Sequence, residues 1–115
     1  MRRDDDRPGK STAVLLMMID VKPEDEAGFN RWYNEEHIPE LMALPGYISA
    51  RRFEVEGEGQ KYLAIYELED VKVFDTPQYK AWREASESMR RMSAKFVSRT
   101  RRLYREIFAT KALSE

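Results

Sequence analysis

Apolar and polar positions divide the chain into alternating strand-like and helix-like segments. Residues 13–21, AVLLMMIDV, form a continuous apolar run, which predicts a first strand buried on both faces. Residues 47–55 and 61–69 predict two more strands, and the EGEGQ between them supplies the two glycines that a hairpin turn favours. Residues 99–108, RTRRLYREIF, predict a final strand in spite of their arginines.

A first amphipathic helix is predicted between the first two strands, from about residue 24 to residue 43. Pro23 and the acidic residues after it suit its first turn. Pro39 interrupts the helix because its nitrogen cannot donate to the carbonyl of Glu35, so we expect a kink or a restart of the helix near Ile38. One stripe at helical spacing contains Phe29, Tyr33, His37, Glu40, Leu41 and Leu44.

A second helix is predicted after the third strand, over the segment FDTPQYKAWREASESMRRMSAKFVS. Asp75 or Thr76 can cap its amino end, and Pro77 then falls in the first turn. Apolar residues recur at helical spacing as far as Phe96. The predicted elements therefore follow one another in the order β-α-β-β-α-β.

This order is typical of the ferredoxin-like fold, an α+β class in which a four-stranded antiparallel sheet carries both helices on one face. The other sheet face would then expose large side chains, among them Phe53, Tyr62 and Tyr66. An exposed apolar face of that size favours association. The pattern therefore predicts a homodimer that buries this face.

The length of 115 residues is typical of a single domain. We place the domain at residues 13–108, between a disordered tail at 1–12 and a short C-terminal tail at 109–115. The formal net charge is −1, and the locally basic segment 90–105 is explained by a solvated helix end and strand. No apolar run approaches the roughly 18 residues of a membrane span. We therefore expect neither nucleic acid nor a membrane as a partner.

The chain contains no cysteine and one histidine, His37. Disulfides and thiolate sites are thereby excluded, and the reducing cytoplasm is the expected compartment. One histidine without cysteine also argues against a zinc site within a single chain, so we expect no metal.

The segment FNRWYNEEHIPELMALPGYISARRF, followed by KYLAIYELED and DTPQYKAW, resembles the dimeric α/β-barrel superfamily and, within it, the EthD-like branch. The similarity extends over residues 13–108, and the spacing from Trp32 to Gly46 is its most specific part. It implies two ferredoxin-like chains packed sheet against sheet, with one pocket in each subunit. That superfamily includes cofactor-independent monooxygenases of aromatic polyketides, polyketide cyclases, lactone isomerases and haem-degrading enzymes, so the fold does not select the reaction.

His37 is the strongest candidate for chemistry, because it is the only side chain of the chain that titrates near neutrality without help. It shares a helix face with Tyr33 and Leu41, and it could take up or give a proton. The resemblance adds that related cyclases place a histidine and tyrosines in this pocket. We predict His37 and Tyr33 as catalytic residues. The alternative is a partly buried histidine that bonds a backbone carbonyl freed by Pro39.

Four residues are predicted to bind substrate: Trp32, Arg52, Tyr62 and Tyr66. The two tyrosines share one strand face, and they point into the barrel if Leu63 and Ile65 meet the helices; the inverse assignment remains open. Arg52 could bind a carboxylate or an enolate, with a cross-strand ion pair to a glutamate as the alternative. Packing alone is the alternative for Trp32 and for both tyrosines.

Together these features predict a cofactor-independent enzyme that acts on a small aromatic or polyketide-like molecule by general acid–base proton transfer. The reaction would be that of an isomerase, cyclase, lyase or monooxygenase. One alternative is a dimer that binds a small hydrophobic ligand without catalysis. A lower-ranked alternative is a haem-binding or haem-degrading protein with His37 as the axial ligand.

Overall fold

The sheet has four strands in the computed structural model, which describes residues 11–110. The strands are β1 (Ala13–Val21), β2 (Tyr47–Glu54), β3 (Tyr62–Leu68) and β4 (Phe96–Arg105). Their order is β2-β3-β1-β4, and every neighbouring pair is antiparallel. This order confirms the predicted ferredoxin-like fold.

Four short α-helices connect the strands: α1 (Glu26–Trp32), α2 (Ile38–Met42), α3 (Pro77–Ala85) and α4 (Glu87–Ser93). A 3-10 turn precedes α1 at Pro23–Asp25, and a second precedes α3 at Val71–Asp75. The first predicted helix is observed as α1 and α2 joined through a π-helical turn, Tyr33–His37. The interruption expected from Pro39 is therefore present as a widened turn, after which the α-helix restarts at Ile38.

The second predicted helix is wrong as a single element. Ser86 is extended, with φ −78° and ψ 99°, and it separates α3 from α4. Its hydroxyl accepts a hydrogen bond from the amide of Met89 at 3.3 Å, so it caps the amino end of α4. Thr76 caps α3 in the same way through the amide of Tyr79, at 3.1 Å, as one of the two predicted caps.

The final strand was predicted three residues too late at each end, at 99–108 instead of Phe96–Arg105. Phe96 belongs to the strand because it pairs with Val21 and its ring packs edge-on against Phe29, with centroids 5.8 Å apart. Helical spacing alone had assigned Phe96 to the helix. β2 and β3 confirm the predicted hairpin, and its glycines Gly57 and Gly59 have positive φ angles.

The two sheet faces differ sharply in burial. Alternate residues of β1, namely Ala13, Leu15, Met17 and Ile19, are buried against the helices. Their neighbours on the opposite face, such as Leu16 and Met18, are only half-buried. The prediction that β1 is buried on both faces is therefore wrong for one chain, because all the helices of residues 11–110 pack on one side of the sheet.

The tyrosines of β3 lie on the helix side of the sheet. Tyr66 is 1% exposed, while Leu63 and Ile65 lie on the opposite, half-buried face. The face assignment that points the tyrosines away from the helices is therefore wrong, and the inverse assignment is the observed one. The aliphatic residues of β3 instead share the outer face with Leu16 and Met18 of β1.

Residues 1–10 and 111–115 lie outside the described residues, and with them most of both predicted tails. Within the described part, the amide of Thr12 donates to the Leu68 carbonyl at 3.0 Å. The Thr12 carbonyl accepts from the amide of Glu106 at 2.7 Å.

No helix among residues 11–110 is long and apolar enough to cross a membrane.

Candidate functional site

The π-helical turn sets the direction of the His37 side chain. Here the amide of Ile38 donates to the carbonyl of Tyr33, five residues back. In a regular α-helix, residues five apart do not share a face, because a turn takes 3.6 residues. The widened turn brings the His37 imidazole onto the Trp32 indole, with ring centroids 4.5 Å apart and planes at 19°. Pro39 favours this turn because its ring crowds an α-helical Glu35 carbonyl.

His37 is buried among aromatic rings and makes no side-chain hydrogen bond to another described residue. It is 6% exposed, and its Nδ1 atom is buried without a partner. Tyr33 packs edge-on against the imidazole at 4.8 Å, and Trp82 lies 5.8 Å away. Desolvation, with smaller contributions from the positive charges of Arg52 and Arg83, lowers the pKa of His37 to about 4. The imidazole is therefore neutral at pH 7, and one of its nitrogens keeps a lone pair.

Tyr33 and Tyr66 form a buried hydroxyl pair between the π-helical turn and β3. Their oxygens lie 2.7 Å apart. Burial raises the pKa of Tyr33 to about 12 and raises that of Tyr66 well above its usual range. Both hydroxyls therefore stay protonated near neutral pH, and one of the two protons is left to be donated elsewhere.

Arg52 reaches from β2 over the first helical segment. Its guanidinium donates to the side-chain oxygens of Asn34 and Asn30, at 2.9 and 2.8 Å. It also lies over the ring of Tyr33, 4.4 Å from the centroid. The cross-strand ion pair proposed for Arg52 is not formed, because the side chain points to the helices instead of along the strand. Its Nε is buried without a hydrogen-bond partner.

Tyr62 belongs to a polar cluster beside Arg52, because the Asn30 side chain that accepts from Arg52 also donates to the Tyr62 hydroxyl at 3.2 Å. Its hydroxyl donates to a carboxylate oxygen of Glu26 at 2.8 Å, and Lys61 pairs with the same oxygen at 3.0 Å. Hydrogen bonds from Lys61 and Tyr62 hold the pKa of Glu26 below its usual range. These contacts tie α1 to β3.

A cavity of about 280 Å³ lies between the sheet and the helices, on the side of β1 and β4. Its lining residues are Leu15, Met17, His37, Leu41, Tyr47, Tyr66, Tyr79, Trp82, Arg83, Met89, Arg99 and Arg101. The walls are thus mainly aromatic and aliphatic, with hydroxyl groups, one imidazole and three guanidinium groups as the polar elements. This combination is typical of a site for a small, partly apolar molecule.

The cavity contains two of the six residues predicted from sequence, His37 and Tyr66. Two other predicted residues do not line the cavity but contact residues that do. Tyr33 shares a hydrogen bond with the Tyr66 hydroxyl, and Trp32 stacks on the His37 imidazole. The Trp32 indole N–H is already used, since it donates to the Ser88 hydroxyl at 3.1 Å. Arg52 and Tyr62 do not line this cavity.

Sequence reasoning missed the residues that close the cavity, namely Tyr47, Tyr79, Trp82, Arg83, Arg99 and Arg101. Trp82 lines the cavity, and its indole N–H donates to Glu40 at 3.0 Å. Arg99 and Arg101 alternate along β4 opposite Ile19 and Met17, whose side chains face the helices. Alternation along a strand places both arginines on one face, but the register of β4 on β1 is needed to tell which face that is.

Among residues 11–110, no three potential metal ligands come together.

Solved structures with the same fold cover nearly all of the chain. A dimeric ferredoxin-like protein from an uncultured marine organism matches with a TM-score of 0.69 and 10% identity, over 93% of this chain and 97% of that one. A monooxygenase from the gene ActVA-Orf6 of Streptomyces coelicolor, in complex with Nanaomycin D, matches with a TM-score of 0.69 and 12% identity, over 96% and 99%. An ethyl tert-butyl ether degradation (EthD) family protein of Bacillus halodurans matches with a TM-score of 0.61 and 18% identity, over 84% and 99%.

Other structural neighbours include an antibiotic biosynthesis monooxygenase and a heme-degrader from Mycobacterium tuberculosis. At 10–18% identity these similarities establish the ferredoxin-like fold alone. No curated protein matches the chain. Residues 13–107 match the family described as Domain of unknown function (DUF4286), and the chain therefore belongs to the DUF4286 family.

Proposed function

We propose that the protein is an enzyme that works without a cofactor on a small aromatic or polyketide-like molecule, with His37 as the group that accepts and returns a proton. One observation carries the proposal: the chain's single histidine lines a cavity, is neutral, and has no hydrogen-bond partner among the described residues. A histidine that only supported the backbone would be bonded to a carbonyl, as the alternative interpretation required. A neutral, unpartnered imidazole is suited to accept a proton from a bound molecule.

The remaining lining residues fit such a reaction. Trp82, Tyr79 and Tyr47 supply ring faces for a planar ligand. Tyr66 can donate its hydroxyl to a ligand oxygen when the Tyr33 hydroxyl donates to Tyr66. The resulting proton transfer would serve an isomerase, cyclase, lyase or monooxygenase, and the Nanaomycin D complex of one structural neighbour supports a small-molecule ligand.

The low pKa of His37 limits the substrates on which it can act. A base whose conjugate acid has a pKa of about 4 removes protons efficiently only from acidic positions. Carbons between two carbonyl groups and the hydroxyls of activated phenols meet that condition. A bound anion near the ring would also raise the pKa of His37 and strengthen it as a base.

We further propose a homodimer in which the outer sheet faces pack together. The outer face contains the half-buried residues Leu16, Met18, Leu63 and Ile65 and the exposed ring of Phe53. A second copy is the occupant that fits best, because an apolar face can pack against the same face of another copy about a two-fold axis. The dimeric state of one structural neighbour supports this arrangement. The lack of cysteine supports a cytoplasmic setting.

Two other functions remain as outcomes of the test. The depressed pKa of His37 and its aromatic packing favour a ligand-binding dimer without catalysis as the second candidate. A haem protein has less support, because the cavity of about 280 Å³ is slightly smaller than the roughly 300–1,000 Å³ of ordinary ligand pockets. A haem function would require a Soret band on haem addition that His37→Ala abolishes.

The decisive experiment uses the single histidine as its own signal. The His37 ring resonances are followed by NMR against pH, with and without benzoylacetone, a neutral aromatic 1,3-diketone, and exchange of the diketone C–H with deuterated solvent is measured in parallel. We expect binding to shift the His37 resonances and the protein to accelerate exchange, with His37→Gln reducing the acceleration about 100-fold. Binding with no acceleration would favour the ligand-binding dimer.

A further inference from the structure

The polar part of the cavity lining is strongly one-sided in charge. It contains three guanidinium groups, those of Arg83 on α3 and of Arg99 and Arg101 on β4, and no carboxylate. The side chains come from two elements that are far apart in sequence and are brought to one cavity by the fold. A site for a neutral apolar molecule does not require such a concentration of positive charge.

These three arginines are not explained by ion pairs. Within residues 11–110 none of them pairs with an aspartate or glutamate. The Arg101 guanidinium lies over the Phe74 ring, 4.7 Å from its centroid, which orients the group without neutralising it. Glu40, whose side chain contacts the lining residue Trp82, uses its carboxylate to accept from the indole and is not part of the lining.

The positive charge of the arginines also affects the His37 imidazole that lines the cavity. The charge of Arg83 is one of the causes that lower the pKa of His37. The Arg83 guanidinium is therefore close enough for its field to act on the imidazole. Any negative group placed among the arginines would oppose that field.

We propose that the molecule bound in this cavity is an aromatic carboxylate, with its ring between the aromatic walls and its carboxylate among Arg83, Arg99 and Arg101. The planar fork of a guanidinium matches a carboxylate, and the ring faces of Trp82 and Tyr79 match an aryl group. The proposal rests on the proposed function, because it uses the same cavity, and it narrows the substrate to an anionic class. Bound carboxylate would also raise the pKa of His37 toward its ordinary value, so that the base strengthens only when substrate is present.

The test compares two probes of the same shape, the anionic 2-naphthoate and the neutral 2-naphthamide, by isothermal titration calorimetry on the full-length protein. We expect the carboxylate to bind about tenfold more tightly, with the preference shrinking as salt is added, because the arginines are solvent-exposed. The double variant Arg99→Gln/Arg101→Gln should lose this preference and retain amide binding. The control Arg31→Gln/Arg91→Gln removes two exposed positive charges outside the cavity lining and should keep it.

Each outcome separates this inference from the proposed function. Equal affinity for the two probes, or equal loss of preference in the control variant, would overturn the carboxylate assignment. If benzoylacetone exchange is still accelerated in that case, the proposed function survives on a neutral substrate. A clear preference for naphthoate without acceleration of exchange would support the carboxylate site and show that His37 does not remove a proton from the neutral diketone. The folded state of every variant is checked by circular dichroism.

Discussion

The hydroxyl oxygens of Tyr33 and Tyr66 lie 2.7 Å apart and connect the π-helical turn to the central part of β3. We expect Tyr33→Phe to lower the free energy of unfolding by about 1 kcal/mol, because one hydrogen bond between buried groups is lost. The double variant Tyr33→Phe/Tyr66→Phe should cost less than the sum of the two single changes. Urea denaturation measures all three, and Tyr104→Phe, at a half-exposed ring, serves as the neutral control. Strictly additive costs would show that the pair is not coupled.

The pKa of His37 predicts a loss of stability in mild acid. The unfolded chain binds a proton near pH 6.5, whereas the folded chain does so near pH 4, so the unfolded state takes up more protons between these values. Stability should therefore be full above pH 7 and should fall by about 2 kcal/mol between pH 7 and pH 5. His37→Gln should flatten this decrease, and because the chain has one histidine the difference between the two curves belongs to His37. Parallel curves would contradict the depressed pKa.

Pro39 is predicted to affect ligand binding as well as stability. Pro39→Ala permits a regular α-helical hydrogen bond to Glu35, which would remove the π-helical turn and separate His37 from Trp32. We expect weaker binding of benzoylacetone and 2-naphthoate in calorimetry, together with altered His37 resonances. Pro23→Ala, in the exposed 3-10 turn before α1, is the matched control. Reduced stability with unchanged ligand affinity would count against a role of the turn in positioning His37.

Substitutions at three glycines distinguish the cost of backbone strain from the cost of a steric clash. Gly46 has φ +91°, and a Cβ there would lie 2.5 Å from Cγ2 of Val73. Gly57 has a similar φ of +93° with open space around it, and Gly28 in α1 has neither problem. We expect Gly57→Ala to lower the free energy of unfolding by ~1–2 kcal/mol, because the backbone there is strained for alanine. Gly46→Ala should lower it by more, because the clash with Val73 is added to the same strain. Gly28→Ala should stabilise by up to about 1 kcal/mol. Thermal denaturation gives the order, and equal costs at Gly46 and Gly57 would exclude the clash with Val73.

The dimer is tested at the outer sheet face. Leu63 lies directly opposite Met18 there, so Leu63→Glu would place a charge in the middle of the proposed interface. We expect wild-type protein at micromolar concentration to scatter light as a particle of twice the 13.6 kDa chain mass, and the variant to scatter as a monomer. Ala81→Glu, at an exposed position of α3, should leave the dimer intact. A monomeric wild type would overturn the proposal.

Elements whose local chemistry agrees with their tertiary environment could be predicted from the sequence. β1 has the predicted bounds, and the hairpin between β2 and β3 has its glycines where positive φ is needed. The second helix failed because Ser86 continues the helical spacing and yet caps a new helix, a choice that depends on where α4 must pack. Phe96 fits the apolar pattern of either a helix or a strand, and its contact with Phe29 decides between them.

Most of the candidate site was beyond the reach of sequence patterns, since only two of the cavity-lining residues, His37 and Tyr66, had been predicted. His37 was identified by its chemistry, since it is the only histidine of the chain and lies two residues before a proline. Its neutral, unpartnered state follows from burial and from arginines distant in sequence, which no spacing rule reveals. Which face of β3 meets the helices depends on whether rings or aliphatic groups fill the space beside Phe29, and here the rings do.

The chain contains two tryptophans, and both have ring contacts with His37, at 4.5 Å for Trp32 and 5.8 Å for Trp82. All of its intrinsic indole fluorescence therefore originates within contact distance of the proposed base. A proton arriving on the imidazole changes the electric field at both indoles, and a ligand in the cavity touches Trp82 directly. The emission spectrum of unmodified protein is thus an optical record of occupancy and protonation at a single place, readable without any label.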